Sequence, residues 1–343
     1  GFLLFAGALH VEANELLAHK WMIAILATIG VVFSTVLVGV LSWLVFDFIS
    51  LSMPLVYCFL FGALISPTDP VAVLGILKEL GAPKHIETQM AGEALFNDGV
   101  GVVVFVVILG IIEGGNAQPW HAAMVTFAKE AVGGIALGLL LGGMAYAMLK
   151  RVDNYQVEVL ITLGLVMGGY ELAHGLHTSG PLAIVSAGLL IGNQGRALAM
   201  SEVTRRNLDT FWELVDEILN ALLFLLIGIE VLVLDISLRH LLAGLLLIPA
   251  VLIVRLLSVG IPFGVLERTA PFRNQTVKVL TWGGLRGGIA VALALSFPDS
   301  PYRGAILVGT YIVVVFSIAV QGLTIRRFFG RWFEGASSSQ TKV

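Results

Sequence analysis

FGALISPTDPVAVLGILKELGAPKHIETQMAGEALFNDGVGVVVF, residues 61–105, decides how this chain is read. It consists of two apolar segments joined by a short charged turn. The first carries Pro67-Thr68-Asp69-Pro70 in its middle, and the second carries Glu93 and Asn97-Asp98. A charge at the depth of a bilayer costs roughly 3 kcal/mol or more, so an ionisable group held there marks a functional site.

The rest of the composition says that a bilayer is the right solvent. Of 343 residues, 57% are hydrophobic and 13% charged. Mean hydropathy is +0.94. A soluble domain carries about 25% charged residues, so this chain lacks the polar surface to cover a water-soluble globule. A net charge of −3 gives nucleic acid no footprint. The single cysteine, Cys58, lies in an apolar run and has no intrachain partner.

Hydropathy outlines about eleven spanning segments, near 1–10, 21–46, 51–78, 87–112, 122–149, 155–174, 180–193, 207–233, 239–265, 275–297 and 303–327. The runs are too long and too uniform for barrel strands, so the expected class is an all-α polytopic membrane protein. Fifteen of the twenty Lys and Arg fall in odd-numbered loops or the C-terminal end, and only Lys129, Arg239 and Arg303 in even-numbered loops. The positive-inside rule then places the C-terminus in the cytoplasm of a plasma or inner membrane. The short apolar start, Gly1 to Leu9, reads as the second half of a spanning helix whose beginning is missing. Residues 1–334 read as one transmembrane domain and 335–343 as a short cytoplasmic tail.

Two segments carry helix breakers. Segment 51–78 has Pro54, Pro67 and Pro70, and proline removes a backbone donor and clashes with the preceding turn. Segment 275–297 has Gly283-Gly284 and Gly287-Gly288 on either side of Arg286. Interrupted helices in both halves of a membrane chain point to an inverted-repeat transporter with its site at mid-membrane. With two further helices before Gly1, the breaks would fall in the fifth and twelfth of thirteen.

The groups at the breaks suit a small hard cation. Asp98 binds either a cation or a proton, as a buried carboxylate can. Thr68 and unwound backbone near Asp69 offer further oxygens. Asp69 either joins the ion or caps the half-helix that starts near Val71. Glu93 needs a counter-charge, and Arg255, alone in the run Leu241 to Leu266, is the natural one. That pair reads as structural. Arg286, among its glycines, reads as compensating the negative end of an opened half-helix, or else as touching the ion pathway. Pro67, Pro70, Gly284 and Gly287 support the breaks. Weaker signals are Glu171, His174 and His177, spaced like metal ligands but without a second cluster, the acidic group Glu213, Asp216, Glu217 and Glu230, and Asn220. Nothing resembles a phosphate loop or a nucleophile triad. The chain reads as a gradient-driven carrier, not an enzyme, with no cofactor and no nucleotide.

Four motifs together resemble the NhaP-type sodium/proton antiporters: Ser66-Pro67-Thr68-Asp69-Pro70-Val71, Gly92-Glu93-Ala94-Leu95-Phe96-Asn97-Asp98-Gly99, Trp212 to Glu230 with Asn220-Ala221-Leu222, and Gly283-Gly284-Leu285-Arg286-Gly287-Gly288. The resemblance implies a thirteen-helix inverted-repeat fold with crossed broken helices, a homodimer, and exchange of Na+ (or Li+ or K+) for H+. It places the cation and proton on Asp98, Asp69, Thr68 and Asn97, with Na+ held by Asp98, Asp69 and Thr68, and pairs Glu93 with Arg255. Asn97 before Asp98 resembles the electroneutral branch. The chain departs from the family pattern at Phe5-Ala6-Gly7, where relatives carry an acid, and at Ala94, where a serine is common. The expected mechanism is alternating access, a bundle with the broken helices moving against a scaffold while cation and proton compete for Asp98. The alternative is an organic-anion/sodium symporter of a related crossed-helix fold.

Overall fold

The computed structural model describes residues 1–114, 120–233, 237–266 and 273–330. The expected tail at 335–343 lies outside them. Every regular element among the described residues is a helix.

In chain order the helices are α1 Phe2–Leu9, α2 Ala13–Ala18, α3 Lys20–Phe48, α4 Leu55–Ile65, α5 Val71–Glu79, α6 Lys84–Gly114 and α7 Trp120–Leu149. They continue with α8 Tyr155–Gly175, α9 Gly180–Leu190, α10 Glu202–Val233, α11 Leu238–Leu266, α12 Arg273–Trp282, α13 Gly288–Leu295 and α14 Arg303–Gly330. Six described helices are long and apolar enough to cross a membrane: α3, α6, α7, α8, α11 and α14. The interrupted segments appear as the half-helix pairs α4/α5 and α12/α13. Pro249 and Pro262 sit inside α11 without ending it, as neighbours in a bundle allow.

Three differences from hydropathy are local. A short helix, α2, fills the first loop, because Ala-Asn-Glu-Leu-Leu-Ala is made of helix formers but is too short for a hydropathy window. Asn193 holds the chain just ahead of it, accepting from the Ala13 N–H at 2.7 Å and donating to the Val11 carbonyl at 3.0 Å. Helix α10 begins five residues before its apolar run, on a charged turn where the Thr204 N–H donates to the Ser201 hydroxyl at 3.4 Å. Finally, α9 and α14 run into wide i→i+5 turns at Ile191–Gly195 and Ser317–Gly322.

The chain divides into two compact units, 1–18 with 102–226 and 19–101 with 227–343. In the first, Phe5, Leu149, Val166, Ile184, Ile191 and Trp212 form the core. Helices α7 and α9 approach closely through Gly134, Gly138 and Gly142, spaced four apart. A Cβ added at Gly138 would lie 2.1 Å from the Ala183 carbonyl oxygen. Such small-residue seams replace the hydrophobic drive that lipid removes. The Trp212 indole N–H donates to the Thr162 hydroxyl at 3.1 Å, which satisfies both buried groups.

The second unit contains both helix breaks. Its core joins Val73, Leu77, Ile86, Met90, Phe263, Leu280 and Phe329. Helix α4 lies so tightly on α3 that a Cβ at Gly62 would stand 2.2 Å from the Thr35 carbonyl oxygen. The first half-helix of the broken pair is thereby held by backbone contact.

Candidate functional site

Helix α4 ends at Ile65 because Pro67 cannot continue its ladder. Ser66 to Asp69 run non-helically, and α5 starts at Val71 with Pro70 in its cap position. On the other side, α12 ends at Trp282, where Gly283 and Gly284 let the backbone leave the helix. Gly287 is extended (φ −110, ψ −160) before α13 begins at Gly288. The two unwound stretches meet: the Asp69 N–H donates to the Leu285 carbonyl at 2.8 Å, an isolated antiparallel bridge.

A helix cut in mid-membrane leaves orphan carbonyls and a negative C-terminal end. Each break meets an arginine. The Arg286 guanidinium is 3% exposed and donates to the carbonyls of Ser66, at 2.5 Å, and Pro67, at 2.9 Å. It thus reaches the end of α4, the half-helix of the opposite break. Arg255, on α11, donates to the Leu280 carbonyl at the end of α12 through Nε at 3.2 Å and Nη2 at 2.9 Å. The same guanidinium grips Glu93 bidentately, with Nη1 on Oε1 and Nη2 on Oε2 at 3.0 Å. Glu93 is 2% and Arg255 6% exposed, so neither charge has water to turn to. Gly284 leaves room for this guanidinium, since a Cβ there would stand 2.6 Å from its Nε.

The polar groups of α6 face the first break. The Asn97 amide donates to the Thr68 hydroxyl at 2.8 Å, and its oxygen accepts from the Thr68 N–H at 3.4 Å. Both residues are buried, whereas Asp98 and Asp69 are half-buried. The two carboxylates are near enough to act on each other electrostatically. The Asp69 carboxylate also lies over Gly287, whose added Cβ would come within 2.3 Å of Oδ2. Asp69 therefore sits by the positive N-terminal end of α13, where a negative charge is stabilised. Pro67 packs so closely on Gly101 that a Cβ there would stand 2.2 Å from its Cγ.

Every residue of the expected site thus falls in one unit, around one crossing. Three carboxylates and two guanidinium groups gather there, with two half-helix ends, one hydroxyl and one amide. The hard oxygens present are of the kind a small cation takes, and with all five charged groups ionised one negative charge would be left over. Of the weaker signals, Glu171, His174, His177, Glu213, Asp216, Glu217 and Asn220 belong to the first unit. Glu171 and His174 are exposed on α8, and His177 sits in a left-handed turn (φ 52). No group of three or more His, Cys, Asp or Glu among the described residues could hold a metal ion. Glu213 and Glu217 are exposed, and Asn220 is half-buried in the first unit. The side chain of Glu230 lies outside the described residues.

Hydropathy passed over Ser317 and Gln321, which sit in an otherwise clean apolar run. They are 1% and 3% exposed and bond to the second break, Ser317 through the Arg286 N–H at 2.8 Å and Gln321 through the Trp282 carbonyl at 2.9 Å. The available signal was their spacing of four, which puts two polar groups on one helix face.

The chain is similar to known proteins. Residues 1–331 match the family described as "Sodium/hydrogen exchanger, transmembrane". The Na(+)/H(+) antiporter NhaP of Pseudomonas aeruginosa is 52% identical over 97% of this chain and 80% of its own length. The Na(+)/H(+) antiporter NhaH of Halobacillus dabanensis is 37% identical over 94% of this chain and 79% of its own. In fold, the chain is similar to the sodium proton antiporter MjNhaP1 of Methanocaldococcus jannaschii, with a TM-score of 0.76, 21% identity, and coverage of 94% of this chain and 81% of that one. This chain belongs to the sodium/hydrogen exchanger family.

Proposed function

We propose that the protein is a secondary antiporter exchanging Na+ for H+ across a cell membrane, with Asp98 as the exchanging group. The observation that carries this is the charge count at the crossing. Asp69, Asp98 and Glu93 share one unit with Arg255 and Arg286, so with all five ionised one negative charge remains. One Na+ or one H+ neutralises it. A buried site that must be neutral to be tolerated at membrane depth then carries one or the other, never both. Exchange is one-for-one and electroneutral on this reading.

The roles follow from the contacts. Asp98 binds Na+ or H+ in competition. Asp69 and the Thr68 hydroxyl supply further hard oxygens, as a small alkali ion prefers. Asn97 acts through Thr68, whose orientation it fixes. Glu93 and Arg255 form a neutral structural pair. Arg286 neutralises the end of α4 and stays out of the ion pathway. Alternating access opens Asp98 to each side in turn. The C-terminus faces the cytoplasm, two copies associate, and Li+ or K+ can replace Na+ as the positioned oxygens permit. The symporter alternative has no support: the similar proteins named above carry the name of antiporters.

The test is a Na+-driven pH change in everted vesicles, wild type against Asp98→Ala. Loss of exchange in the variant, at normal abundance, supports the assignment. Full activity in the variant removes Asp98 from the mechanism. Wild-type exchange that responds to an imposed membrane potential refutes the one-for-one count.

A further inference from the structure

The Leu285–Arg286 peptide unit is held from both sides. Its carbonyl accepts the Asp69 N–H at 2.8 Å. Its N–H donates to the Ser317 hydroxyl at 2.8 Å. A planar trans peptide points these two groups in opposite directions, and neither turns without the other. Ser317 on α14 therefore sets the plane that anchors the backbone of Asp69, although nothing in the sequence connects residues 69 and 317.

Two more bonds hold the same stretch. Gln321 donates to the Trp282 carbonyl at 2.9 Å, and the Trp282 indole N–H donates to the Thr324 hydroxyl at 3.1 Å. Residues 317, 321 and 324 are four and three apart and share one helix face. The wide turn Ser317–Gly322 falls on this face, and such turns recur at functional sites. No helix of its own satisfies the Arg286 N–H or the Trp282 carbonyl, because the break removed their partners. The strap from α14 replaces those partners.

We infer that Ser317, supported by Gln321, is a positioning residue for Asp69: it locks the Leu285–Arg286 peptide and so fixes the second carboxylate of the ion site. The inference rests on the reading of Asp69 as a cation ligand in an antiporter. Ser317 touches neither ion nor proton, and its contribution passes wholly through one peptide unit.

The experiment uses the full chain in proteoliposomes, normalised to protein incorporated, with Na+ and Li+ as separate substrates. Wild-type exchange is measured first. If it is absent, the antiport reading fails independently of Ser317. With Ser317→Ala, the apparent KM for Na+ rises roughly fivefold, the weight of one hydrogen bond. The Na+ to Li+ preference changes with it, because loosened oxygens select cation size less sharply. Ser317→Thr keeps the hydroxyl and restores the wild-type KM. Gln321→Leu shifts KM in the same direction by less. A purely structural role would lower the amount of active protein and the maximal rate while leaving KM and cation preference unchanged. That pattern in Ser317→Ala overturns the inference, as does failure of Ser317→Thr to restore the KM of properly incorporated protein.

Discussion

Glu93→Gln separates two roles that a membrane carboxylate can have. Glu93 is 2% exposed and takes two charge-assisted bonds from Arg255, itself 6% exposed. The substitution keeps the shape and removes the charge. Arg255 would retain its bonds to the Leu280 carbonyl but lose its counter-charge in a place without water. Breaking a buried pair from one side costs about 3–5 kcal/mol, a large fraction of a typical folding free energy of ~5–15 kcal/mol. Thermal unfolding of the purified protein, followed by tryptophan fluorescence, should therefore drop by on the order of 10 °C. Exchange should fall as well, because the site's surplus negative charge is cancelled and Na+ binding would leave a net positive site. The double variant Glu93→Gln with Arg255→Gln removes both charges and brings back the surplus. It should recover part of the stability and measurable exchange, which neither single variant does; the remaining deficit is the Leu280 carbonyl, which loses its guanidinium donor. A Glu93→Gln protein that melts like wild type but no longer exchanges would refute the reasoning, for it would make Glu93 an ion ligand and not half of a structural pair.

Competition for Asp98 has a fixed sign. Below the pKa of the site, each unit of falling pH should raise the apparent KM for Na+ about tenfold, since a proton must leave before the cation enters; above it KM should be flat, and a KM independent of pH in a series of buffered proteoliposomes would refute competition. Gly287→Ala should abolish exchange with little loss of abundance. The added methyl would meet the Asp69 carboxylate at 2.3 Å, and either the carboxylate or the start of α13 must move; normal exchange in vesicles would place Asp69 elsewhere.

Much of this arrangement was legible in the sequence, for reasons that differ by residue. Pro67 and Pro70 announce a break because proline's constraint is local. Glu93 and Arg255 could be matched across 162 residues because a guanidinium in an apolar run must find a carboxylate. The glycines around Arg286 announced the second opening. What remained hidden depends on where chains meet. That Arg286 serves α4 and not its own segment follows from the crossing, which no periodicity encodes. Ser317 and Gln321 have ordinary side chains for a membrane helix, and only the orphaned N–H and carbonyl opposite them give them a purpose. Helix α2 was missed because six residues cannot raise a hydropathy average.

The choice of arginine at both breaks follows from what a cut helix requires. Opening α4 and α12 in mid-membrane exposes carbonyls that water cannot reach, and each needs a donor that stays charged there. Arg255 holds the Glu93 carboxylate and the Leu280 carbonyl with one planar group, using Nε, Nη1 and Nη2 at once. An ammonium is a point donor, and burial lets it lose its proton. Arg286 joins two successive carbonyls of the other break in the same way. With the negative helix ends neutralised by fixed cations, a mobile cation has no reason to settle on them. In the proposed mechanism it is left with Asp98 and with Asp69, which lies by the positive start of α13. On that proposal the unwound backbone creates the negative field, the arginines confine it, and one exchangeable charge remains.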